Sequence, residues 1–530
     1  MSIDAGIRHP SWRDWAPIAL LWVLAGVVSV TALTYQRRYS LRENSTVLTD
    51  LGKLSQFSHP AFWQFLLAGL AITISTVLAA LLARGRGRSA LWPVLAGCAF
   101  AGIALVFTYP ASAIDVFIYA ARSRLFTEYG ENPLIAHPND FLANDPYMRF
   151  ASQEWGSHGS PYGPLWNLIA APATLIGGDS ITTALFAFKA IAVIFWLGCG
   201  ALIWRITERL RPGDGIAAAI LFLWNPIVLW EGIGNAHNDL VMMFFILAAA
   251  WAWVARRDEG IVPLLVIAVL IKYAALVLLP IAALAALRRQ PNRDRMLRLI
   301  GWWAVWSIGF AFVSLAPFFD IGAVRRSIDD QTSLLLTSPG SLLYDELRTA
   351  GHPASIYDTI LHGGQAIAAI GICILILLTL WKPRQHFRFQ HEAMFILLMA
   401  GTPALRPWYA IWMVALAGLL PIGWPTVRAI AYGLGAYLTY CFSIWVWNWS
   451  GGPWIIMMRC IVWSMVGPAL FFAAVEAIAG IYKWDRRRQL RRRSGFGSQW
   501  EALASRSTPL LSSGRAELQE AASSRQGTLT

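Results

Sequence analysis

Apolar runs long enough to cross a bilayer recur through most of this chain, and that repetition limits its fold more than any single motif. An upright transmembrane helix needs about 20 such residues. Runs at 16 to 34, 62 to 83, 91 to 109, 183 to 204, 299 to 318, 363 to 381, 427 to 446 and 455 to 482 meet or approach that length. Charged residues are 14% of the 530, against roughly a quarter in soluble domains. The expected fold class is an all-α polytopic membrane protein. With shorter runs at 216 to 231, 238 to 255, 392 to 404 and 408 to 420, residues 1–493 should form a bundle of about 12–14 helices.

The net charge of +13 raises nucleic acid as a partner, but the basic residues lie between the apolar runs. They form RGRGR (84–88), RRQPNRDRMLR (288–298), KPRQHFRFQH (382–391) and KWDRRRQLRRR (483–493). That is the positive-inside pattern of a multi-pass protein of the cell membrane. No basic stretch is joined to a stacking platform, so no nucleic-acid partner is expected. Placing these clusters inside puts both termini in the cytoplasm. Outside come the loops 110–182 and 319–361, the NAHND turn (235–239) and RPWY (406–409). Parity requires a hairpin over 258–287 that turns at Lys272, and makes 164–178 a shallow helix of the first outer loop. The five cysteines, all in apolar runs without paired spacing, read as small buried hydrophobes. The polar, Ser-rich tail 494–530 reads as a largely disordered cytoplasmic segment.

The polar residues that matter gather on the outer side, and each has two readings. Asp115, Tyr119 and Arg122 share one helix face at i, i+4 and i+7, where a carboxylate, a phenol and a guanidinium can converge. Ser112 ahead of Asp115 also fits a capping box, which would make Asp115 a helix-terminal carboxylate. Trp155, Tyr162 and Trp166 either stack on sugar or belong to the interfacial aromatic belt. In NAHND, His237 and Asp239 alone make a poor metal site, and hydrogen bonding from Asn235, His237, Asn238 and Asp239 to a hydroxyl-rich substrate fits better. Lys272 and Arg406, the latter followed by Trp408 and Tyr409, either snorkel to the surface or hold an anionic lipid headgroup. Lys189 is expected to snorkel. Arg325, Arg326, Asp329, Asp330 and Arg348 contact an acceptor or simply solvate their loop.

Six segments in order resemble the GT-C glycosyltransferases, and within them the bacterial polyprenol-phosphomannose-dependent α-1,6-mannosyltransferases. They are DVFIY (115–119) with Arg124 beyond it, YGENP (129–133), SPYGPLW (160–166), WNPIVLWEGIGNAHND (224–239), Lys272-Tyr273 with Pro280 downstream, and RPWYAIW (406–412). The resemblance covers about residues 90 to 450. It implies a GT-C-like membrane enzyme that moves a sugar, with inversion, from a polyprenyl-phosphate donor lipid to a glycolipid or cell-envelope glycan on the extracytoplasmic face. It also implies that Asp115 is the general base. In the commoner arrangement that Asp follows the first span, whereas here residues 16–83 precede it.

The chemistry of such a transfer agrees with the residues. A glycosidase needs two carboxyl groups because its leaving group is an alkoxide. A lipid phosphate leaves as a stable anion, so one base suffices if cations hold the phosphate. Asp115 is then the base, Lys272 and Arg406 bind phosphate, and Tyr119, Arg122, Arg124, Tyr162, the NAHND residues, Trp408 and Tyr409 contact substrate. No cofactor is expected; if a divalent metal is used, Asp140, Asp145 or Glu154 could supply further carboxylates. No GxxxxGK[ST] loop is present, which fits a donor other than a soluble nucleotide. The alternative is a transporter or flippase of lipid-linked glycans, which would favour repeated halves and midplane charges. The sequence shows no internal repeat.

Overall fold

The computed structural model describes residues 12–45, 47–151 and 155–507. It is 79% helical, and among the described residues there is no strand. The chain is an all-α polytopic membrane protein. It divides into two compact units, Met1–Leu470 and Phe471–Thr530, the first of which carries every residue discussed below as part of the site. Setting aside one-turn helices, those up to residue 210 are α1 (Trp12–Arg38), α2 (His59–Ala83), α3 (Leu91–Val106), α4 (Asp115–Thr127), α5 (Pro164–Gly177) and α6 (Ile181–Leu210). Then follow α7 (Gly215–Leu223), α8 (Asp239–Val254), α9 (Ile261–Ile271), α10 (Leu279–Arg288) and α11 (Arg293–Leu315). The remainder are α12 (Ile321–Ser333), α13 (Pro339–Thr349), α14 (Ile356–Trp381), α15 (His386–Ile396), α16 (Ala410–Gly418), α17 (Trp424–Tyr440) and α18 (Trp454–Ser507).

Among the described residues, eight helices are long and apolar enough to cross a membrane, or up to nine if the bent pair at 215–234 counts as one span. Four shorter apolar helices, Pro164–Gly177, Asp239–Val254, Tyr273–Arg288 and Pro407–Gly418, stand beside them. The expected 12–14 helices count both classes together. Helix α1 packs along α2 and α3, and α8 packs between α6 and α9. Helix α18 extends beyond the apolar run to Ser507, and the rest of the expected disordered tail, 508–530, lies outside the described residues.

The site is positioned by places where helices break. The run 216 to 231, expected as one span, is instead α7 followed by a π-helical turn, Val228–Gly234, at 63° to it. Pro226 lies at the break and has no N–H to continue the helix, while Asn225 Oδ1 accepts from the Ile227 amide at 3.2 Å. The π turn leads through Ala236, at φ +55°, into α8, so that Asp239 is the first residue of that helix. A second break separates α9 from α10 at Lys272, whose backbone is extended. There the Gly163 amide donates to the Ile271 carbonyl at 3.1 Å, and a Cβ at Gly163 would overlap the Leu270 carbonyl oxygen. Glycine at 163 thus allows the SPYGP segment to lie directly on the Lys272 turn. A third break follows α15. A π turn (Leu397–Gly401) gives way to extended backbone, and Leu336 pairs with Pro403 and Leu405 to tie the 319–361 loop to the chain entering RPWY.

Three expectations are corrected. Ser112 does not cap α4: the N-cap is Ile114, without a side-chain cap bond, because the Ser112 hydroxyl is used elsewhere. Lys189 does not snorkel; it is fully buried, with backbone carbonyls for partners. Of the cysteines, Cys98, Cys199 and Cys441 are buried as expected, but Cys373 is exposed on α14.

Candidate active site

Asp115 opens α4, where a carboxylate gains from the unpaired amides of a helix N-terminus. Its Oδ1 accepts from the Tyr162 hydroxyl at 2.9 Å, and Oδ2 makes no hydrogen bond among the described residues. Tyr162 comes from SPYGP, held on the Lys272 turn through Gly163. One turn along α4, Tyr119 packs edge-on to Tyr162 with ring centroids 5.2 Å apart and donates to Asn238 Oδ1 at 3.4 Å. Burial first, then the Asp115 charge, holds the Tyr162 phenol well above its ordinary value; burial and Tyr162 do the same for Tyr119. Both are neutral donors beside an acceptor carboxylate.

Arg122 is buried, and its Nη2 donates to the Trp155 and His158 carbonyls at 3.1 and 3.2 Å, which fastens that part of the 128–163 segment to α4. Burial lowers its guanidinium to about 10, against the opposing pull of Tyr162 and Asp115, so Arg122 is a cation at neutral pH. Its Nε is buried without a partner. Arg124 points elsewhere. It bonds to Asp145 (2.5 Å), Asp179 (2.5 Å) and the Gly178 carbonyl (2.6 Å), and its guanidinium lies over the Tyr147 ring. The expected substrate-binding donors of Arg124 are therefore engaged in joining α4 to Asp145, midway between α4 and α5, and to the Gly178-Asp179 turn after α5.

The NAHND turn is the buried centre. Glu231, Asn235, His237, Asn238 and Asp239 are each 0 or 1% exposed. Asp239 accepts from Lys272 Nζ at 2.9 and 3.1 Å and from the Trp412 indole at 2.5 Å. Lys272 also lies over the rings of Tyr409 (4.7 Å), Trp412 (5.3 Å) and Tyr162 (5.8 Å), an aromatic cage around a neutralised ammonium. His237 stacks on Trp408 with centroids 4.1 Å apart; its Nε2 is 3.0 Å from Glu231 and its Nδ1 4.0 Å from Asp239. Asn235 Oδ1 and Asn238 Nδ2 are buried without hydrogen-bond partners, an uncommon state for amides. Arg406, half-buried and 5.9 Å over the Trp408 ring, has no carboxylate partner among the described residues.

Asp115, Tyr119, Tyr162, NAHND, Lys272, Trp408 and Tyr409 are thus linked by direct contacts, with Arg122 and Arg406 at the margins. Sequence reasoning missed Glu231 and took Ser112 only as a cap. The Ser112 hydroxyl donates to Glu231 at 2.9 Å and accepts from the Trp230 indole (2.8 Å) and the Asn235 amide (2.6 Å), which stitches the approach to Asp115 onto the π turn. The available signal was an ionisable residue, Glu231, inside an apolar run. Of the carboxylates considered for a metal, Asp145 is committed to Arg124 and Tyr129, Asp140 faces solvent beside His137, and Glu154 lies outside the described residues. No three His, Cys, Asp or Glu among the described residues converge to hold an ion.

Residues 18–288 match the model of the alpha-(1->6)-mannopyranosyltransferase family, N-terminal domain. Alpha-(1->6)-mannopyranosyltransferase A of Mycobacterium tuberculosis is 23% identical over 359 residues, 64% of this chain and 67% of that protein. The enzyme of the same name from Corynebacterium glutamicum is 27% identical over 186 residues, 34% of this chain and 36% of its own length. Alpha-(1->6)-mannopyranosyltransferase B of C. glutamicum is 27% identical over 144 residues, 27% of this chain and 24% of its own. The matched segment contains Asp115, Tyr162, NAHND and Lys272, and ends before RPWY.

Proposed function

This membrane glycosyltransferase belongs to the alpha-(1->6)-mannopyranosyltransferase family, and from that premise we propose that it transfers a mannosyl residue from a polyprenyl-phosphate donor. The acceptor is a glycolipid or cell-envelope glycan on the extracytoplasmic face, and the anomeric configuration inverts. The observation that carries this reading is the state of Asp115: one oxygen is oriented by Tyr162 and the other is unengaged.

In the reaction, the acceptor hydroxyl oxygen bonds to the anomeric carbon on the face opposite the phosphate, and its proton passes to Asp115 Oδ2. The bond between that carbon and the phosphate oxygen breaks, and its electron pair leaves on the lipid phosphate. Arg406, a cation without a carboxylate partner among the described residues, binds that phosphate. An ammonium carries three donors, and Asp239 occupies two of those of Lys272, which leaves one to reach the same phosphate. The unpartnered amide atoms of Asn235 and Asn238 are suited to sugar hydroxyls.

An apolar groove supports a lipid donor. A cavity of about 390 Å³ lies between the start of α13, α14 and the 399–403 segment, lined by Leu335, Pro339, Leu343, Ile360, Ile367 and Met399 among others. Its wall includes Pro403, three residues before Arg406 in the chain, the cation proposed for the phosphate. Purified protein in lipid nanodiscs, given radiolabelled polyprenyl-phosphomannose or nucleotide-activated mannose, tests the donor. Label should reach the acceptor from the lipid only; transfer from the nucleotide alone would overturn the reading.

A further inference from the structure

We propose that Lys189 is a positioning residue for this reaction, one whose buried ammonium ties two helical ends together and so sets where Asp115 stands relative to the Asn235–Asp239 turn. The inference rests on the reading of Asp115 as the base. Lys189 lies in the third turn of α6, a helix long and apolar enough to span the membrane, and its side chain is wholly buried. A buried cation in such a helix is costly unless it is paired. No carboxylate partners it among the described residues.

Its acceptors are three carbonyls: Leu105 at 3.1 Å, Ile233 at 3.4 Å and Gly234 in closer contact. All three stand at helix C-termini. Leu105 is the penultimate residue of α3, and Ile233 and Gly234 end the π turn. Such carbonyls lie at the negative end of the helix dipole, and the Leu105 carbonyl accepts from the Thr108 amide as well, so one ammonium bridges the two ends.

Both ends lead straight into the site. The chain from Leu105 passes Ser112 and reaches Asp115, and Gly234 is followed at once by Asn235. The same two segments are joined a second time by the Ser112 bonds to Glu231, Trp230 and Asn235. Lys189 is thus a fastening between the approach to the base and the approach to the substrate-facing turn, and none of its acceptors is a proposed site residue.

Lys189→Met preserves apolar length and removes all three donors. The expected kcat loss is about tenfold to hundredfold, with both KM values within about threefold, since a displaced base slows chemistry without removing a binding contact. Amide hydrogen exchange should rise together in peptides covering 105–115 and 231–239, relative to α2 and α14. Where Lys189→Met does not accumulate, Lys189→Gln, which retains two donors, should show a smaller change confined to the same two peptides. Unchanged exchange in either peptide overturns the clamp whatever the activity, and so does a uniform rise with unaltered kcat per folded molecule. Exchange needs no turnover, so failure of the clamp is distinguishable from failure of Asp115 as base, which an active Asp115→Asn variant would reveal.

Discussion

Tyr162 donates its phenolic hydrogen to Asp115 at 2.9 Å while its ring stands 5.8 Å from the Lys272 ammonium. One side chain therefore joins the proposed base to the buried Asp239–Lys272 pair. This arrangement depends on the SPYGP segment lying on the Lys272 turn, which the Gly163 contact permits.

Tyr162→Phe should lower kcat by about tenfold to hundredfold with little change in KM, because it frees Asp115 to rotate without removing the carboxylate. The phenol's value is raised by burial and by the Asp115 charge. Its neutral form therefore contributes stability fully below about pH 10, lost only as pH rises through the higher folded value. The wild-type and Tyr162→Phe pH–rate profiles should then differ in height and keep the same alkaline limb; a limb lost in the variant would contradict this.

Lys272→Met leaves Asp239 buried with only the Trp412 indole, and should cost about 3–5 kcal/mol of stability. The double variant Lys272→Met, Asp239→Asn removes both charges and should recover much of that loss in thermal unfolding, yet remain inactive. Recovery of activity as well would mean that the pair serves the fold alone.

Arg406→Ala should reduce kcat/KM for the donor by about a hundredfold and leave acceptor KM unchanged, as expected for loss of a phosphate-stabilising donor. Steady-state kinetics with each substrate varied in turn checks this. A change confined to the acceptor would reassign Arg406.

Arg124→Ala should behave differently from the other arginine variant. It strands the buried Asp145 carboxylate and unties Asp179 and Gly178, so the expected effect is about 3–5 kcal/mol of destabilisation. Asp145→Asn in the same chain should restore part of it. Folded Arg124→Ala protein should retain donor KM, which a substrate contact would not allow.

The helices were legible because apolar runs and basic clusters are local signals that each stretch carries by itself. The convergence of Asp115, NAHND, Lys272 and RPWY was foreshadowed by their common side in the topology. Partner choice was not legible. Ser112 reads locally as a cap, yet its hydroxyl meets Glu231 from another segment; Arg124 shares a helix with Asp115, yet turns to Asp145 and Asp179. Lys189 looks like a snorkelling lysine until the ends of two distant segments are seen to close over it. Each depends on packing between segments far apart in sequence, which no window along the chain contains. The run 216 to 231 reads as one span, and the 63° bend at Trp224-Asn225-Pro226 lay outside that reading although a proline stands there.

The most direct test replaces Asp115 with Asn in purified protein and measures transfer of radiolabelled mannose from polyprenyl-phosphomannose, with thermal unfolding as a control for folding. Loss of about a thousandfold or more in rate, with folding and donor binding retained, is the predicted result for removal of the general base. Transfer within about threefold of wild type by the folded Asp115→Asn protein would contradict the account.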